Sequence, residues 1–219
     1  MMMSPDTFYE IKLKGKNAAQ IMTVIRGLKQ EIGRLKNIVE HPDYKYREIE
    51  VHPSETVQIG ASRHYLECAK QALIEAGGEY IPSATEQKAI EFNDNIPYIN
   101  KVVFSIGGFF SGYETKTYTI DGDKVHRHVE HSLILTPSNI GDGEIEPLDK
   151  EEFLSELEDL RIGEWRKNYN TRRFGFVVMD GTQWELNIYF SNGHKPVKIS
   201  GDNAYPYNFD NVLDLFEIE

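Results

Sequence analysis

The sequence predicts an α+β protein. A small N-terminal α+β module lays a long helix on a short sheet, and a C-terminal antiparallel β-sheet module is covered by two helices. Three observations carry this. Ile21, Ile25, Leu28, Ile32, Leu35 and Val39 form one helical stripe. Runs rich in β-branched and aromatic residues recur through the second half, several with period two. Turn signals at Asp121-Gly122, Asp180-Gly181 and Ser191-Asn192-Gly193 join such runs directly, which is how antiparallel strands are connected.

Taken in order, residues 8–14 put Tyr9, Ile11 and Leu13 on one face and Glu10, Lys12 and Lys14 on the other, a half-buried strand. Asn17 caps the helix of residues 18–40, which His41-Pro42 ends. Gly27 and Gly33 weaken a helix interior, so a close neighbour is expected there. The same stripe could instead make a coiled-coil dimer through residues 18–40, but three heptads are at the lower limit for one, and the helix is expected to lie on its own sheet. Residues 46–51 and 56–59 read as short strands, and Ser62 as the cap of a second helix over 63–75 that Gly77-Gly78 terminates. Tyr80-Ile81 reads as a last short strand. The module is taken as residues 1–81 and the linker as 82–100, where two prolines and polar residues show no clean period.

In the third segment, 101–219, an apolar strand covers 101–110. Gly107-Gly108 signals a bulge or a close backbone approach. Residues 113–120 and 124–135 form a hairpin about Asp121-Gly122, and 136–148 a loop. Asp149 caps an acidic helix over 151–160 with Phe153, Leu154, Leu157 and Leu160 inward. Residues 172–216 read as a three-stranded meander followed by a short helix.

The chain has 219 residues and a formal net charge of -11. Residues 1–100 carry 12 Lys/Arg and 14 Asp/Glu, and residues 101–219 carry 12 and 21, so the acidic excess lies in the second half. Such a field repels phosphate backbones and suits a basic partner. Arg26, Lys29, Arg34 and Lys36 share the polar face of the first long helix, but Glu31 breaks that patch, and a solvated face is expected rather than a nucleic-acid site. No apolar run is long enough to span a bilayer, so no membrane contact is expected. The first residues carry no basic region followed by an apolar segment, so no secretory leader is expected. Together with a single cysteine, Cys68, this points to the cytoplasm.

Trp165, Asp180-Gly181-Thr182-Gln183-Trp184, Phe190-Ser191-Asn192-Gly193 and the run from Asn203 through Ala204, Tyr205, Pro206, Tyr207 and Asn208 to Phe209 form a distinctive series. Through it, residues 101–216 resemble a group of uncharacterised bacterial proteins. The resemblance implies a bacterial context and no activity.

Two constellations could carry chemistry. On a strand, His126, His128 and Glu130 point to one face, and such a His-x-His-x-Glu file can seat a divalent metal, with Asp121 or Asp123 adding a carboxylate. No distant Cys/His pair completes the set and no His-Glu-x-x-His is present, so an exposed polar strand face is the expected reading. The loop with Asn203, Tyr205, Tyr207 and Asn208, together with Trp184, is aromatic and polar and could form a binding patch, or Tyr205, Phe209 and Trp184 could plug the core. Gly107-Gly108 lacks the Lys-Ser/Thr of a phosphate loop, Cys68 sits among apolar helix residues, and no Gly-x-Ser-x-Gly elbow occurs. The expected function is a non-enzymatic binding protein, an inhibitor or immunity-type protein for a basic partner, needing no cofactor. The alternative is a metal-dependent hydrolase or nuclease using His126, His128 and Glu130 with a divalent metal.

Overall fold

Ser4-Pro5 starts the first helical turn. The Ser4 hydroxyl accepts from the Thr7 backbone N–H at 3.2 Å, and Pro5 occupies the first turn, where a missing N–H costs nothing. In the computed structural model, which describes residues 2–46, 51–108, 110–132, 146–175, 177–178 and 180–218, helix α1 (Pro5–Phe8) continues as a π-helical run, Tyr9–Leu13. The expected strand at 8–14 is therefore helical. Phe8 and Leu13, five residues apart as a π-helix repeats, turn inward, and Ile11 is 60% exposed. The cap outweighs an alternation only three apolar residues long.

The chain divides into two compact units, Met1–Pro82 and Ser83–Glu219. In the first, Asn17 and Gln20 form a reciprocal capping box on α2 (Ala18–Val39). Helix α3 (Glu55–Glu75) starts at Ser54, whose hydroxyl accepts from Val57 N–H, so residues 56–59 are helical and Ser62 is buried in mid-helix. The apolar stripe of α2 (Ile21, Ile25, Ile32, Leu35) packs on α3, which contributes Ile59, Leu66, Ala69 and Leu73. The long helix thus lies on a helix, not on a sheet, and the stripe that could have formed a coiled-coil seam is covered within the chain.

Among the described residues of this unit there is no strand. Residues Pro42–Tyr46 form a 3-10 turn, and 47–50 of the expected strand at 46–51 lie outside the described residues. Tyr80 takes no strand conformation; its ring faces the Lys29 and Lys70 ammonium groups at 5.7 and 5.0 Å. Gly27 and Gly33 meet nothing within 4 Å, so no close neighbour explains them.

In the second unit, residues 82–100 do not form a featureless linker. Ser83 and Glu86 box the start of α4 (Ala84–Asn95), Gly163 lies against α4 beside Ala89, and Phe92 enters the core edge-on to Phe190. The sheet follows: β1 (Ile99–Gly108), β2 (Gly112–Asp121), β3 (Lys124–His131), β4 (Leu148–Asp149), β5 (Asn168–Asn170), β6 (Gln183–Phe190) and β7 (Val197–Asp202). Its order is β4-β3-β2-β1-β6-β7-β5, antiparallel except for β5 beside β7. Among the described residues, the expected three-stranded meander keeps two strands, β6 and β7. Residues Thr171–Phe174 form a 3-10 turn, and Val177 and Val178 are exposed. Their β propensity finds no strand partner, and β-propensity without a paired neighbour is weak.

One face of the sheet is apolar. Val102, Phe104, Tyr118, Val125, Leu186 and Ile188 are fully buried on it. They join one core with α4, α5 (Lys150–Asp159, capped by Asp149) and α6 (Phe209–Leu215), three helices rather than two. Phe153 stacks on Tyr118 at 5.1 Å, and Phe216 stacks on Phe104 at 4.7 Å. Glu217 pins this corner: its carboxylate meets Arg127 and its carbonyl accepts from the buried Lys116 ammonium at 2.7 Å.

Two predictions follow from this packing. Gly27→Ala in α2 and Gly60→Ala in α3 add a methyl into open space, so each raises unfolding free energy by about 0.5–1 kcal/mol in urea titration. Burial pushes the Tyr118 hydroxyl, beside the Arg127 guanidinium, up to about 12. Its neutral form is favoured by folding, so the contribution is complete below pH about 10 and is lost as pH rises towards 12. Alkaline unfolding of Tyr118→Phe therefore begins at a higher pH than that of the parent chain.

Candidate functional site

Strand alternation decides what the other face carries. In register across β3, β2, β1 and β6 stand His126, Thr119, Lys101 and Tyr189, then His128, Thr117, Val103 and Asn187. The next row is Glu130, Thr115, Ser105 and Glu185, extended by Ser200 on β7 and Asn168 on β5. This face is polar, with its side chains exposed or half-buried, and none of α4, α5 and α6 lies on it. Short hydrogen bonds knit it: Ser105 and Thr115 hydroxyls at 2.9 Å, Asn187 amide to Glu185 at 3.0 Å, Ser200 hydroxyl to Asn168 at 3.1 Å.

Towards β5 the face sinks into a groove of about 460 Å³. Its wall includes Ser105, Tyr113, Gln183, Glu185, Ser200 and Asp202. Gly107, between Tyr113 on β2 and Gln183 on β6, has no side chain to fill its place in the row. The Tyr113 side chain crosses it and donates its hydroxyl to Gln183 Oε1 at 2.7 Å. A Cβ at Gly107 would overlap the Gly112 carbonyl, so the close approach expected at this glycine is present. The two carboxylates sit on neighbouring strands. Glu185 accepts from the Asn187 amide and Asp202 from the Asn203 amide at 2.8 Å, and neither has a Lys or Arg partner among the described residues.

The residues singled out from sequence fall elsewhere. His126, His128 and Glu130 do share one exposed face of β3, and His128 Nε2 lies 3.1 Å from Glu130 Oε1. Among the described residues no three His, Cys, Asp or Glu side chains are grouped so as to hold a metal ion.

The loop after β7 is used by the fold. Asn203 has a positive φ of 50°, and its side-chain oxygen accepts from Thr182 N–H at 2.9 Å, tying the end of β7 to the turn before β6. Trp184 is buried against Trp165 and Phe209, its indole N–H donating to the Ala204 carbonyl at 3.0 Å. Tyr205 packs on Phe209, and Asn208 donates to the Leu160 carbonyl at 2.8 Å instead of capping α6. Tyr207 is half-buried beside them. Of this set only Trp184 belongs to the groove wall.

Sequence reading missed Ser105, Tyr113, Gln183, Glu185, Ser200 and Asp202. The available signal was the polar phase of each alternating strand, which shows its meaning only once five strands are placed side by side.

Trp184 lies over Gly201, where a Cβ would overlap the indole ring. Gly201→Ala is therefore expected to cost more than about 2 kcal/mol in denaturant unfolding and to shift the Trp184 fluorescence maximum to the red. No helix among the described residues is long and apolar enough to cross a membrane. No family model, curated protein or solved structure matches the chain, so the resemblance of residues 101–216 to bacterial proteins gains no support from them.

Proposed function

We propose that the chain is a non-enzymatic binding protein whose C-terminal unit takes a basic macromolecular partner on the polar face of its sheet. An inhibitor or immunity-type protein of a bacterial cytoplasm is the form this reading takes. The observation that carries it is the groove. Among the described residues its wall holds two carboxylates, Glu185 and Asp202, and no lysine or arginine. The excess of 21 Asp/Glu over 12 Lys/Arg in residues 101–219 supports it by steering cationic partners and repelling phosphate backbones. The face is carried on paired strands rather than on a loop, which lowers the cost of ordering it on binding.

Titration of the purified chain against a panel of small basic proteins at low salt checks this. At least one is expected to bind saturably at one to one, with affinity falling steeply as salt rises. Glu185→Lys should weaken that complex about tenfold, whereas Glu156→Lys on the exposed side of α5 should leave it within twofold. Absence of binding across the panel, or equal loss from both variants, overturns the reading.

A further inference from the structure

We infer that the groove seats an arginine side chain of the partner, its guanidinium bridging Glu185 and Asp202. This rests on the basic-partner reading and adds the group recognised.

The register sets the geometry. Gln183 faces Asp202 and Glu185 faces Ser200 across β6 and β7, so Glu185 and Asp202 are diagonal neighbours on one face. Diagonal side chains on paired strands stand roughly 7 Å apart at Cβ. That separation leaves room for one planar group with a donor edge turned to each carboxylate. A guanidinium has five donors along the edges of a rigid plane and can meet two carboxylates in fixed geometry, whereas an ammonium is a compact, strongly hydrated point charge whose donors fix no plane.

The remaining wall fits the same guest. Ser105 and Ser200 offer hydroxyl acceptors for the other N–H groups. The Tyr113 ring is held across Gly107 by its bond to Gln183, a fixed aromatic surface on which an aliphatic stem or a guanidinium plane can lie. Both carboxylates accept one amide N–H each, which leaves their charge unneutralised. Lys198, one row along β7 on the same face, forms no ion pair with either.

The test uses three hexapeptides, of arginine, of lysine and of citrulline, titrated into isotopically labelled protein and followed by backbone amide shifts. The arginine peptide is expected to bind at least threefold more tightly than the lysine peptide, and the citrulline peptide at least thirtyfold more weakly. The largest shifts should fall at Ser105, Tyr113, Gln183, Glu185, Ser200 and Asp202. Glu185→Gln and Asp202→Asn, nearly isosteric and exposed, should each cost about tenfold for the arginine peptide. Tyr113→Phe, which frees the ring from Gln183, should cost about threefold.

Arginine binding with shifts outside the groove, or unchanged in Glu185→Gln and Asp202→Asn, overturns this inference and leaves the basic-partner reading standing. Equal affinity for the arginine and lysine peptides within the groove also overturns it, since the site would then read charge alone. No binding of either cationic peptide overturns it too, and the protein panel then decides the broader reading separately.

Discussion

Four rings hold the C-terminal unit together. Phe153 of α5 lies on Tyr118 of β2, Phe216 beyond α6 lies on Phe104 of β1, and Phe216 meets Tyr118 edge-on at 5.4 Å. Two helices and the two central strands are joined through these contacts, each worth about 0.5–1.5 kcal/mol beyond the area it buries. All four rings are at most 2% exposed. Because successive strand side chains point to opposite sides, committing Phe104 and Tyr118 to this stack commits Ser105, Val103, Thr117 and Thr119 to the other face. The polar face is the geometric consequence of the ring stack, not a separate invention.

Two glycines adjust the sheet to its aromatic residues, one on each face. Gly201 makes room for Trp184 on the covered side, where the indole also satisfies the Ala204 carbonyl. Gly107 lets Tyr113 lie across the polar side and reach Gln183. The first arrangement is closed, with every neighbour supplied by the chain. The second is half-finished: the ring is pinned, yet two carboxylates beside it have amide partners only. That contrast separates the loop at 203–208, which the fold consumes, from the groove, which offers unmet charge.

What could be read from the sequence was whatever local chemistry decides. Asn17, Asp149, Gly77 and the Asp121-Gly122 turn mark their elements without help from the rest of the chain, and β1, β2 and β3 follow from alternation within one hairpin. The first helix and the start of α3 were also locally encoded, in Ser4-Pro5 and Ser54-Glu55, but short β-like alternations at 8–14 and 56–59 masked the caps. Among the described residues, 172–175, 177 and 178 failed for the opposite reason. Their composition favours a strand, yet a strand exists only where a neighbour pairs with it, and that is decided at a distance. The groove was out of reach because its wall draws on β1, β2, β5, β6 and β7 at once, and no spacing within a single run records their adjacency.

The position of β1 has a consequence for how the protein is made. Its neighbours are β2, joined by a short turn, and β6, which begins 75 residues after β1 ends, from Gly108 to Gln183. The hairpin of β1, β2 and β3 can close within microseconds from local contacts, but the β1–β6 ladder must first close a long loop, a step that slows folding. Until it does, the β6 side of β1 is an unpaired edge and Phe104 lacks part of its cover. During synthesis that edge waits while some eighty residues are added, for several seconds at rates of roughly 5–20 residues per second. The same strand that centres the finished sheet is, for that interval, an open edge on which another chain can pair.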